Sequence, residues 1–172
     1  MIAVLAHAGL GGVYQLHAED EYPAVLVGGT VDLIDDDKML KKNFYLKSGS
    51  VFVSSYYTSD PVVFFLKASY GYNGNHTKGN HLLETGDVLS ITPQIYFAVN
   101  PYVSLNWGVR YQYKQKDTYD GNAISTNQSQ LGWLFGASYE LNTKSVISAD
   151  VDKSETSTYS QSIFALNYSY KF

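Results

Sequence analysis

One polar segment carries the residues that come closest to a metal site. His76, His81 and Glu84 lie in a stretch rich in Gly and Asn. Histidine and carboxylate side chains are common zinc ligands, but this spacing matches no established ligand pattern. We therefore expect a solvated polar loop at this point, with no metal ion and no cofactor.

Two acidic segments could hold a divalent cation. Residues 35–37 are three consecutive Asp residues, followed by Lys38, Lys41 and Lys42. Residues 117–122 resemble a calcium loop but lack its alternating oxygen ligands and its closing Glu. An ordinary charged loop is the expectation for both segments.

Catalytic motifs are missing from the chain. It contains no G-x-S-x-G elbow, no H-E-x-x-H pair and no Gly-rich phosphate loop. With no Cys, disulfides, thiolate metal sites and Cys nucleophiles are excluded. The sequence therefore predicts no enzyme and no catalytic residue.

Composition excludes further classes of protein. The 172 residues suffice for one domain, and the net charge of −4 argues against binding to nucleic acid. Tyr occurs 16 times, more often than Lys and Arg together, which total 12. Charged residues make up only 16%, below the roughly 25% of soluble domains.

Alternation of apolar and polar residues runs through most of the chain. In residues 103–114, for example, Leu105 and Trp107 alternate with Asn106 and Gly108. A strand sends successive side chains to opposite faces, so this pattern predicts strands with one apolar and one polar face. The pattern predicts an all-β chain with nine strands at residues 8–18, 24–34, 50–58, 62–73, 88–99, 103–115, 129–141, 146–152 and 161–172.

The predicted connections alternate between two lengths. Short ones rich in turn residues lie at 19–23, 58–61, 100–101 and 142–145. Long polar ones lie at 35–49, 74–87, 116–128 and 152–160. This arrangement is typical of antiparallel hairpins in an up-and-down barrel.

Two barrels fit such hairpins: a soluble barrel with its apolar face inside, and a membrane barrel with that face in lipid. Strands of this length, alternating loops and aromatic residues near the strand ends favour the antiparallel transmembrane β-barrel. The aromatic residues expected at the membrane interfaces are Tyr70, Tyr72, Trp107, Tyr111, Tyr113, Trp133, Tyr139 and Tyr170. A soluble, lipocalin-like barrel stays open as an alternative.

In a membrane barrel the polar face would line the lumen. Its side chains would set the charge and polarity of a pore, or would simply hydrate the interior and pair with one another. The candidates are Lys67, Gln94, Asn106, Arg110, Gln112, Lys114, Asp150 and Asp152.

The C-terminus resembles the assembly signal of bacterial outer-membrane proteins. Tyr168, Tyr170 and Phe172 occupy alternate positions up to a terminal Phe, although Asn167 stands where Gly is common. This resemblance implies recognition by the outer-membrane insertion machinery. The layout, including residues 9–16, also resembles outer-membrane transporters of the phenol meta-pathway degradation type, which implies passage of hydrophobic or aromatic compounds.

Strand direction raises the question of strand number. With a periplasmic C-terminus, the first and the ninth strands run the same way, whereas bacterial barrels have even strand numbers. We therefore expect residues 1–172 to be a single barrel domain that forms the C-terminal portion of a longer barrel. A miscount of strands within residues 1–58 is the alternative.

Together these observations predict an outer-membrane channel for passive movement of small, hydrophobic or aromatic solutes. The expected partners are outer-membrane lipid and lipopolysaccharide, the insertion machinery, and the solute. The alternative is a structural or surface-interaction barrel without an open pore.

Overall fold

The computed structural model describes residues 7–37, 42–44, 46–156 and 160–171. All regular elements within these ranges are β-strands. The described residues therefore contain no helix that is long and apolar enough to cross a membrane. Nine strands are long and five are short. Their bounds are β1 His7–His17, β2 Ala24–Asp37, β3 Lys42–Phe44, β4 Ser48–Ser59, β5 Val62–Asn73, β6 His76–Lys78, β7 His81–Glu84, β8 Val88–Asn100, β9 Val103–Lys114, β10 Thr118–Tyr119, β11 Asn122–Ala123, β12 Gln128–Asn142, β13 Ser145–Glu155 and β14 Ser160–Tyr170.

The nine long strands form one antiparallel sheet. Their order is β1-β2-β4-β5-β8-β9-β12-β13-β14, so each long strand pairs with its neighbour along the chain. This confirms the predicted all-β, antiparallel architecture. Within the described residues, β1 and β14 are the two edges of the sheet and run in the same direction, because eight antiparallel steps separate them. Membership in a longer, even-stranded barrel stays a prediction.

Several predicted loops are partly strand. β2 continues to Asp37 and pairs with β3, while β13 continues to Glu155. The long connections at 74–87 and 116–128 contain β6, β7, β10 and β11, which form a second, four-stranded sheet. The loop assignment was wrong there because hydrogen bonding between backbones does not require apolar side chains.

Asn side chains close two of the predicted short turns. The Asn100 carboxamide oxygen accepts the backbone N–H groups of Tyr102 and Val103, at 2.9 and 3.0 Å. Asn142 accepts the N–H of Lys144 at 2.9 Å in the same way. Such local hydrogen bonds explain why Asn favours tight turns and why these turns could be located from sequence.

The two faces of the long strands differ in exposure. In β9, Leu105 is 46% and Trp107 44% exposed, whereas Gly108 is buried and Arg110 is half-buried. We call these the apolar face and the polar face. Among the residues whose side chains are described, Ala24 and Leu83 are the only buried hydrophobic ones. The sheet therefore packs no apolar core between its own elements, and its apolar face needs an apolar environment from elsewhere.

Close packing at Gly28 provides a test of the sheet. A Cβ at Gly28 would clash with the Phe52 ring and lie 2.6 Å from the Gly12 carbonyl oxygen. By contrast, a Cβ at Gly12 would meet nothing within 4 Å. We expect Gly28→Val to lower the free energy of unfolding by about 1–3 kcal/mol, the usual cost of overpacking.

The matched control is Gly12→Val, for which we expect no loss of stability. Unfolding in detergent micelles, followed by Trp fluorescence against denaturant concentration, measures both variants. Equal midpoints for the two would show that the Phe52 ring does not limit the space at Gly28.

Candidate functional site

All eight predicted lumen residues lie on the polar face of the sheet. The strand registers place Lys67 beside Thr92, Gln94 beside Gly108, and Gln112 beside Gln130. The same registers place Asn106, Arg110, Lys114, Asp150 and Asp152 on this face. The sheet therefore gathers these side chains onto one surface, and their role in a lumen stays a prediction.

An ion pair crosses the polar face between β9 and β13. Arg110 Nη2 donates to Asp152 Oδ2, and both side chains are largely shielded, at 31% and 20% exposed. Between them lies Gly132 of β12, which has no side chain to block the contact. A half-buried pair of this kind fixes the two strands relative to each other and shields both charges.

A second polar cluster lies one step nearer the short turns. Asn106 and Asp150 flank Gly136 of β12, where a Cβ would clash with the side-chain oxygens of both. Asn167 of β14 donates to Asp150 Oδ2 at 3.3 Å. Glycines on β12 thus let the polar side chains of its two neighbours approach each other.

Aromatic side chains also occupy the polar face, and the sequence analysis missed them. Phe65 and Tyr96 pack edge to face with 6.3 Å between ring centroids, and the Tyr96 hydroxyl donates to Gln94 at 2.7 Å. Lys67 Nζ lies 4.3 Å from the centroid of the Phe52 ring. Pairs of adjacent aromatic residues, such as Phe64 with Phe65, were the available signal, because one member of each pair must face the polar side.

Two cavities lie along the polar face and meet near its middle. The loop-side cavity, about 390 Å³, is bordered by Ser50, Lys67, Ser69, Gly71, Val88, Ser90, Thr92, Gln94, Arg110, Gln112 and Leu134. The turn-side cavity, about 470 Å³, includes Tyr96, Asn106, Asp150 and Asp152 in its lining. Gln94 and Leu134 border both cavities, so the two spaces are contiguous.

The eight aromatic residues predicted at the membrane interfaces all lie on the apolar face. Trp107 and Trp133 stack with 6.1 Å between their ring centroids. Tyr70 donates its hydroxyl to Asp87 at the loop end of β5. The other members on this face are Tyr72, Tyr111, Tyr113, Tyr139 and Tyr170. Their depth in a membrane stays a prediction.

The residues of the proposed C-terminal assembly signal are only partly described. Tyr168 and Tyr170 lie on the apolar face of β14, opposite Ile147 and Ser145 of β13. Phe172 lies outside the described residues. Recognition by the insertion machinery therefore stays a prediction.

The second sheet joins two of the long connections, and we call it the loop sheet. Its strands run in the order β11-β10-β7-β6. Glu84 accepts the Thr118 hydroxyl at 2.5 Å, and the His81 ring stacks on Tyr119 with 5.5 Å between centroids. Buried Leu83 packs against Tyr119. These contacts give the two connections a common packed structure.

Two carboxylates hold the loop sheet together. Asp120 accepts from His81, at 2.8 Å, and from the Leu82 amide, and these contacts lower the pKa of Asp120. Burial raises the pKa of Asp117, but hydrogen bonds from the Gly86 amide and the Lys114 ammonium outweigh it and bring this pKa below 3.8. Both carboxylates are therefore charged at neutral pH.

The candidate metal ligands do not gather into one site. Within the described part of the chain, no group of three His, Asp or Glu side chains is close enough to hold a metal ion. His81 instead binds Asp120, and Glu84 binds Thr118. Of the acidic and basic residues near 35–42, Lys38 and Lys41 lie outside the described residues.

Comparison with known proteins adds a family. The model of a family described as "Outer membrane protein beta-barrel domain" matches residues 3–172. Among solved structures, the chain is similar to Ail, the attachment invasion locus protein of Yersinia pestis, with 16% identity and a TM-score of 0.36 over 96% of this chain and 94% of Ail. At this TM-score the likeness does not bear on the site. Curated proteins give no match.

The Arg110–Asp152 pair makes a testable contribution to stability. Arg110→Met leaves Asp152 half-buried and without its counter-charge, and we expect a loss of roughly 1–3 kcal/mol in unfolding free energy. Asp152→Asn added to Arg110→Met removes that charge and is expected to recover part of the loss. Denaturant unfolding measures both variants, and no recovery in the double variant would contradict the pairing.

Acid is expected to loosen the loop sheet. Because the pKa values of Asp117 and Asp120 are depressed, their stabilising contribution is complete above the ordinary Asp value of 3.8. It is lost as pH falls through the lower pKa values of the folded protein. The amide proton shifts of Gly86 and Leu82, followed by NMR, should therefore titrate with midpoints below pH 3.8.

Asp120→Asn is the control for the acid titration. It should abolish the Leu82 transition and leave that of Gly86 in place. Midpoints at or above 3.8 would show that these carboxylates do not hold the loop sheet.

Proposed function

Because this chain belongs to the outer membrane protein β-barrel domain family, we propose that it forms a passive route for small solutes across the bacterial outer membrane. The family match confirms the predicted transmembrane barrel class and the outer-membrane location. A soluble, lipocalin-like binding protein is thereby ruled out.

The contiguous cavities on the polar face are the observation that carries this proposal. They extend from the loop side to the turn side and meet at Gln94 and Leu134. Polar side chains contribute to the lining of both cavities, so a hydrated solute would find hydrogen-bond partners in each. The proposed action is physical passage, with no chemical step.

Side chains on the polar face support solutes with apolar or aromatic parts. Phe65, Tyr96 and Leu134 offer apolar contact next to amide and hydroxyl groups. Mixed linings of this kind accept amphipathic molecules. We therefore also propose that the chain is related to outer-membrane transporters of the phenol meta-pathway degradation type.

We propose three further partners for the membrane-embedded protein. Lipid covers the apolar face, lipopolysaccharide contacts the outer rim, and the insertion machinery recognises the apolar face of β14 with Tyr168 and Tyr170. Exposed aromatic residues on that face suit both lipid and a protein groove.

The loop sheet supports a second candidate function. Loops that only connect strands need no packing of their own, yet Leu83 is buried and two carboxylates clamp this sheet. A fixed surface at one end of the strands suits adhesion or recognition by a partner. A surface-interaction barrel without an open pore is therefore the alternative, and absence of conductance would favour it.

Blocking the junction of the cavities tests the route. We expect Leu134→Trp to reduce entry of the small sugar arabinose into proteoliposomes, measured by swelling, because the larger ring fills the shared space. The matched control is Leu131→Trp on the apolar face of the same strand, which should leave entry unchanged. Equal entry for both variants, or none with the unmodified protein, would contradict the proposal.

A further inference from the structure

Charge is divided between the two cavities of the polar face. Lys67 and Arg110 line the loop-side cavity, and among the described residues no carboxylate lines it. Asp150 and Asp152 line the turn-side cavity, to which no Lys or Arg of the described part of the chain contributes. We propose that the loop-side cavity binds the carboxylate of a small organic anion, a solute class that rests on the proposed route and refines it.

Lys67 supplies the charge that attracts the anion. Its ammonium lies over the face of Phe52, and no described carboxylate forms an ion pair with it. A ring face stabilises a cation without neutralising it. The half-buried ammonium therefore has no described carboxylate beside it where water is partly excluded, and an anion would gain from joining it.

Arg110 adds directed hydrogen-bond donors. A guanidinium carries five N–H donors, and the contact with Asp152 uses Nη2. Since Asp152 belongs to the other cavity, the ion pair spans the boundary between the two spaces. Neutral hydrogen-bond donors line the loop-side cavity together with Arg110, including Ser69, Ser90 and Thr92. Both oxygens of a carboxylate could thus be satisfied in the loop-side cavity.

The remaining lining determines the rest of the ligand. Val88 and Leu134 border the same cavity, so a short apolar or aromatic group can pack beside the carboxylate. Asp150 on the turn side repels an anion, which keeps the bound carboxylate near Lys67. A small monocarboxylate such as an aromatic acid fits these constraints. A cationic amine would not be attracted to Lys67 and could not accept the hydrogen bonds of Arg110.

Binding of 4-fluorobenzoate to the full chain in detergent micelles tests this site by ¹⁹F NMR titration. We expect saturable binding, and Lys67→Met should weaken it roughly tenfold, the value of one hydrogen bond to a charged group. Lys67→Arg keeps the charge and should retain binding. The matched control is Lys144→Met in a short turn, which should bind like the unmodified protein.

A neutral probe separates charge recognition from simple partition. 4-Fluorobenzyl alcohol has nearly the same shape and should not bind the loop-side cavity. Equal affinity for both probes, or equal affinity in the Lys67→Met and Lys144→Met variants, would overturn the proposal. Absence of any saturable binding would overturn it as well.

Planar bilayers distinguish failure of the site from failure of the route. Under a potassium benzoate gradient, the reversal potential should show preference for the anion, and Lys67→Met should reduce that preference. Binding without conductance would uphold the anion site and refute the solute route. Conductance with no effect of Lys67→Met would refute the anion site and uphold the route.

Discussion

Hydrogen bonding between the backbones of neighbouring strands is the constraint on which the rest of this structure depends. In lipid no water can satisfy an exposed N–H or C=O group, so each must pair within the protein. Nine long strands that pair with their neighbours along the chain meet this requirement over most of their length between the two edges, β1 and β14. The β8–β9 pairing is interrupted at Thr92 and Pro93. The ladder also sends alternate side chains to opposite faces, which separates apolar from polar residues.

Because the polar side chains are gathered on one face, contacts between these side chains stabilise that face. Arg110 reaches Asp152 across β12, and Asn106 and Asp150 approach each other over the same strand. Glycines 132 and 136 make both approaches possible because they leave the polar face of β12 open. The small residues of one strand thus determine which polar side chains on its neighbours meet.

Much of this arrangement was predictable because a strand has a period of two residues. Alternation in segments such as 103–114, together with the turn residues between them, located the nine long strands and assigned the two faces from residue 62 onwards. Pairing across an intervening strand, as between Arg110 and Asp152, depends on register and could not be predicted. The loop sheet was missed because segments such as 118–119 pair through backbone hydrogen bonds, which require no alternation of apolar and polar residues. Phe65 and Tyr96 were missed because aromatic residues were assigned only to the apolar face.

Quenching of Trp fluorescence by brominated lipids tests the central claim most directly. Trp107 and Trp133 are the two Trp residues of the chain, and both lie on the apolar face. In vesicles that contain brominated acyl chains, the account predicts strong quenching, with little effect of the aqueous quencher acrylamide. Efficient quenching by acrylamide and none by brominated lipid would contradict it, because the apolar face would then not contact the membrane.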